Sequence, residues 1–101
     1  MYASVRRYTM NSGANVVGSG LVEKGFIPII KKIPGFVSYS LIDGGSENGR
    51  DVLITVSVFE SREGVEESVA QAAQWVGANL AAYEPSKPMI AQGTVLASAS
   101  R

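Results

Sequence analysis

Apolar positions along the chain fall into two successive rounds of one pattern. A strand-like run over residues 2–9 is followed by a stretch in which Val17, Leu21, Ile29 and Ile33 recur at multiples of four, with Phe26 and Ile30 beside them. That is the spacing of a helix with one apolar stripe. Pro34-Gly35 turns the chain into a second strand over residues 36–42, and a loop from Asp43 to Asp51, with Gly44-Gly45 and Asn48-Gly49, turns it back. Residues 51–59 read as a third strand, 61–83 as a helix marked by Val65, Val69, Ala72, Val76, Leu80 and Tyr83, and 89–97 as a final strand. The predicted order is β-α-β-β-α-β. A sheet with both helices on one side leaves its other side to be covered, which points to a homodimer.

The same pattern assigns faces. In the third strand Val52, Ile54, Val56 and Val58 are wholly apolar, whereas Leu53, Thr55, Ser57 and Phe59 are mixed, so the first set is expected under the helices. The first strand alternates Ala3, Val5 and Arg7 with Ser4, Arg6 and Tyr8, and this alternation does not decide which arginine faces the helices. The first helix is a poor one by propensity, because Gly18, Gly20, Gly25 and Pro28 interrupt it, and a kink is expected near Pro28. Asn11-Ser12-Gly13 offers a turn and a cap before it, Ser61 a cap for the second helix, and Pro85 and Pro88 prevent the second helix from continuing.

Length and charge narrow the function classes. A chain of 101 residues suits one domain, expected over 1–97 with a loose tail over 98–101. Nine Lys and Arg balance nine Asp and Glu, so no net field gathers a polyanion, and nucleic acid is not expected as a partner. There is neither Cys nor His, which removes thiolate nucleophiles, imidazole bases and the usual zinc and haem ligands together, so no metal is expected. No run is long and apolar enough for a membrane span and no signal-peptide pattern opens the chain, giving the expectation of a cytoplasmic protein.

Few residues suggest chemistry. Gly18-Ser19-Gly20 lacks the spacing of a phosphate loop, and the acidic residues sit at a helix start and in a hairpin loop rather than as an acid-base pair. Trp75 falls at the edge of the second helix's stripe, with Ser68 and Asn79 on the same edge, where an aromatic beside small polar groups can line a pocket mouth, fill a core or meet a second subunit. Arg7, if its register faces the helices, needs an anionic partner, a ligand or an ion pair. Tyr8 and Tyr39 are strand aromatics whose hydroxyls can donate hydrogen bonds, although strand tyrosines are more often packing.

The Ile33-Pro34-Gly35-Phe36 junction, the Phe59-Glu60-Ser61-Arg62-Glu63 passage into a helix and the closing Gly93-Thr94-Val95 strand together resemble the antibiotic biosynthesis monooxygenase-like domains of the dimeric α+β barrel superfamily. The resemblance implies a ferredoxin-like α+β fold, a βαββαβ chain with a four-stranded antiparallel sheet and two helices on one face, paired with its twin to close a barrel. It also implies a cleft in each subunit for a small, apolar or aromatic organic molecule. Some members oxidise aromatic polyketides with molecular oxygen, using no cofactor, and others degrade haem. The haem-degrading pattern is not met, since Arg7, Ser68 and Ala78 stand near the places of its Asn, Trp and His. Trp75, Tyr39, Asn79 and Arg7 loosely match the polyketide-type set, as a ligand site in which Trp75 stacks, Arg7 or Tyr39 holds an oxygen and Asn79 orients. No catalytic residue is assigned. The two readings are a cofactor-independent monooxygenase acting on an aromatic or quinone-forming compound and a non-catalytic stress-related, scaffold or ligand-sensing dimer.

Overall fold

A computed structural model describes residues 1–101. Its strands are β1 (Tyr2–Met10), β2 (Phe36–Glu47), β3 (Arg50–Phe59) and β4 (Met89–Thr94), all antiparallel in the order β2-β3-β1-β4. Two helical arms cross one face, giving a ferredoxin-like α+β fold. The first arm comprises α1 (Ala14–Leu21), a π-helical turn Val22–Phe26 and α2 (Ile27–Ile30); the second is α3 (Arg62–Asn79), followed by a 3-10 turn Ala81–Tyr83.

The first arm buries Ala14, Gly18, Val22, Phe26 and Ile30, a strict spacing of four. Of the expected stripe Phe26, Ile30 and Ile33 are buried, whereas Val17, Leu21 and Ile29 are 47%, 42% and 39% exposed, so its first half is corrected by one residue. Ala14 packs in the cluster with Tyr8, Met10, Leu53 and Leu80, and Gly18 lies against Leu80, so small residues as well as large ones fill the buried stripe. At 3.6 residues per turn a four-residue spacing drifts by ~40° a step. The wider turn at Val22–Phe26 takes up part of that drift, and Pro28, which has no N–H to give the Lys24 carbonyl, stands just after it.

The faces of the sheet are the larger correction. Leu53, Thr55, Ser57 and Phe59 lie buried under the helices, and Val52, Ile54, Val56 and Val58 are on the opposite face. On β1 the covered residues are Ser4, Arg6, Tyr8 and Met10, directly opposite Ser57, Thr55, Leu53 and Asp51 of β3. The core beneath the arms runs in two adjoining clusters, one around Phe26, Ile30, Phe59 and Val65, the other around Tyr8, Met10, Leu53 and Leu80.

The ends of the elements follow local chemistry. The β2–β3 connection is tighter than the expected loop: β2 continues to Glu47 and turns on Asn48-Gly49 alone, both at positive φ, the backbone that an Asn-Gly hairpin adopts. Gly13, at φ 99, precedes α1, and the cap comes from across the sheet, where Asp51 Oδ2 accepts from the backbone N–H groups of Gly13 (3.1 Å) and Asn15 (3.0 Å). Ser61 Oγ accepts from the Gly64 N–H at the start of α3. No helix is long and apolar enough to cross a membrane.

Candidate functional site

Where the two arms diverge above the centre of the sheet, a recess opens against the covered face. Its floor is Arg6 and Tyr8 from β1 with Leu53 and Thr55 from β3. One wall is Val22 and Phe26 with Tyr39 and Leu41 of β2, and the other is Ala72, Trp75, Val76 and Leu80 from the second arm. Its cavity volume is about 20 Å³, room for roughly one water molecule. The recess is therefore narrow as it stands.

Three aromatics shape it. Phe26 meets Tyr39 edge-on at 5.5 Å between ring centroids and Trp75 at 5.6 Å with a tilt of 50°. Trp75 rests on bare backbone: a side chain at Gly25 would place its Cβ 3.3 Å from the indole. The π-helical turn that carries Gly25 thus gives the indole its seat, and Trp75, half-buried, stands between core and solvent.

The polar content of the floor is unusual. Arg6 is 2% exposed, and its side chain makes a single long hydrogen bond, from Nε to Thr55 Oγ1 at 3.4 Å. Its Nη1 is buried without a partner, as are the hydroxyls of Ser4 and Ser57, which face each other across the next row of the sheet. No carboxylate lines the recess, and the chain's two ion pairs, Arg7–Glu47 and Arg62–Glu66, do not involve Arg6. Burial pushes the Tyr39 hydroxyl up to about 12 and Tyr8 up as well, with the Arg6 charge pulling both the other way. At neutral pH both phenols keep their protons.

The four residues singled out from sequence separate here. Trp75 and Tyr39 both line the recess. Arg7 does not, since it lies on the opposite face of the sheet in an ion pair with Glu47 at the end of the β2–β3 hairpin, and Arg6 occupies the place it was expected to fill. Asn79 is exposed, and its amide donates to the Trp75 carbonyl at 2.9 Å, so it runs along its own helix rather than into the recess. Ser68, from the same helix edge, is buried and donates to the Val65 carbonyl. Arg6 was missed because alternation leaves a strand's two faces symmetrical. The available signal was size, for Tyr8 and Met10 share Arg6's side of β1 and are bulkier than Ala3 and Val5.

No family model matches the chain, and no curated protein matches it in sequence. Solved structures do match it in fold. A monooxygenase from the gene ActVA-Orf6 of Streptomyces coelicolor, in complex with nanaomycin D, superposes with a TM-score of 0.71 at 15% identity over 99% of this chain and 91% of that one. SnoaB, a cofactor-independent oxygenase from Streptomyces nogalater, gives 0.65 at 15% identity over 96% of this chain and 94% of its own. A dimeric ferredoxin-like protein from an uncultured marine organism gives 0.68 at 13% identity, over the full length of both chains. The chain thus shares the ferredoxin-like fold of the antibiotic biosynthesis monooxygenase-like proteins.

Proposed function

We propose that this protein is a homodimer whose subunits each bind a small, flat, mostly apolar organic molecule in the recess between helices and sheet, and oxygenate an aromatic compound there without a cofactor. The observation that carries the binding is the recess itself, lined mostly by apolar side chains with one arginine and two tyrosines among them, the mixture that orients a greasy ligand by a few polar contacts. Support for the reaction class comes from structural neighbours described as a monooxygenase and a cofactor-independent oxygenase. Conversion of a phenol by O2 to a quinone and water balances without an outside reductant: one oxygen atom enters the ring as a carbonyl, the other leaves as water, and the substrate supplies the electrons. The chain's part in that reaction is to seat the ring between Trp75 and Tyr39, exclude water and hold the substrate oxygen on Arg6.

Support for the dimer comes from the outer face of the sheet, where Val5 and Ile42 are 41% and 42% exposed beside Ile54, Val56 and Val58, an apolar surface of the kind that second copies cover.

A second reading, a non-catalytic dimer whose recess is filled by its own side chains, is favoured by the small free volume. Oxygen uptake by the purified protein, measured over a panel of phenolic and quinone-forming compounds, separates the two. The first reading expects uptake with at least one compound and its loss in a folded Trp75→Ala variant. Uptake by none of the panel, or unfolding of Trp75→Ala, favours the second.

A further inference from the structure

We propose that Arg6 is the anion receptor of this recess, and that the molecule bound there carries an oxyanion, a phenolate or a carboxylate, on its apolar body. This rests on the recess being a ligand site, and it adds the charge of the ligand and the residue that reads it. Arginine keeps its charge wherever it is placed and offers five N–H donors. Here the group is 2% exposed with one long hydrogen bond to a neutral hydroxyl. A buried cation left in that condition is destabilising, and folded chains normally meet it with a carboxylate or replace it with an apolar residue. Neither has happened. The pocket holds no acid, and the chain's ion pairs lie elsewhere.

The surroundings point the same way. Nη1 is orphaned, and the Ser4 and Ser57 hydroxyls, also orphaned, come from the neighbouring row of the same face. Of these only Arg6 lines the recess, and its unanswered Nη1 suits an acceptor from outside the chain. The Arg6 charge already opposes burial at the Tyr8 and Tyr39 hydroxyls, the two phenols of the recess, and a ligand phenol seated among them feels the same field.

Three probes of one shape test this: 4-nitrophenol, 4-nitrobenzoate and the neutral 4-nitrotoluene, titrated against the full-length protein by equilibrium dialysis and, for the phenol, by its visible phenolate band. Expected is binding of the phenolate or the carboxylate about tenfold or more tighter than the neutral probe, with the phenolate band of the bound dye persisting to a pH about one unit lower than in buffer. The two anions tell which oxyanion the site prefers. In Arg6→Met the neutral probe still binds and the preference for anions is lost, while Arg6→Lys restores part of it. With no ligand present, Arg6→Met is expected to melt no lower than the parent, because the substitution removes an uncompensated charge. Equal binding of anion and neutral probe overturns the proposal and leaves the binding reading standing, and binding of none of the three overturns both. A fall in the melting temperature of ligand-free Arg6→Met also overturns it, as that marks Arg6 as a structural residue.

Discussion

The two faces of the sheet are made of opposite materials, and not in the usual arrangement. Under the helices lie Ser4, Arg6, Thr55 and Ser57 among the core aromatics, all nearly without exposure. Facing away are Val5, Ile54, Val56 and Val58, part of them open to solvent in the single chain. Were this chain a monomer with an inert core, the apolar set would be expected inside and the polar set outside. The inversion is what a chain needs when one face is a binding floor and the other is packed against something apolar. Polar groups on the covered face lower stability unless they are answered, and apolar groups on the open face have little value unless covered; the proposed ligand and the proposed second copy would meet both needs.

Substitutions on the two faces sharpen that contrast. The largest expected effect is on the covered face, away from the recess floor: Phe59 is fully buried and meets Phe36 edge-on, so Phe59→Ala should lower the unfolding free energy by about 3–5 kcal/mol in denaturant titrations. On the open face, Val56 sits mid-sheet, opposite Val5 and Ser40. Val56→Glu should leave the chain folded by circular dichroism but weaken self-association more than about a hundredfold, since a buried unpaired charge costs about 3 kcal/mol or more at an interface. A loss of secondary structure in that variant would instead place Val56 in the subunit core.

The smallest effect concerns pH. The Tyr39 hydroxyl is raised from 10.0 to about 12 by burial, so the folded chain holds its proton where the unfolded chain gives it up. The contribution is complete below pH 10 and is lost as the pH rises through 10 towards 12. Tyr39→Phe should flatten that part of the alkaline stability profile, read from melting temperatures across it; an unchanged slope would show that Tyr39 is not the group responsible.

Much of the fold was legible in the residues. Element order follows from the change between two-residue and helical spacing, and the Asn48-Gly49 and Pro34-Gly35 turns declare themselves by composition. What stayed hidden was orientation. Val52 to Val58 reads as a core face because hydrophobicity reports that a surface is covered and says nothing of whether helices or another body covers it. The first arm is offset for a related reason: Ala14 and Gly18 count for little in an apolar tally, yet both are buried. Of the site, Trp75 and Tyr39 were legible from bulk and position. Arg6 could be told from Arg7 only by the bulk of Tyr8 and Met10 on its side of β1, and Asn79, though it shares an edge with Trp75, spends its amide on the helix backbone.

The division of labour between the two faces is tested most directly by the mass of the unmodified protein in solution. Sedimentation equilibrium over a wide range of concentrations is expected to give twice the 10.7 kDa of one chain down to low micromolar protein. A mass of 10.7 kDa at every concentration would contradict the account, because the apolar face would then stand uncovered.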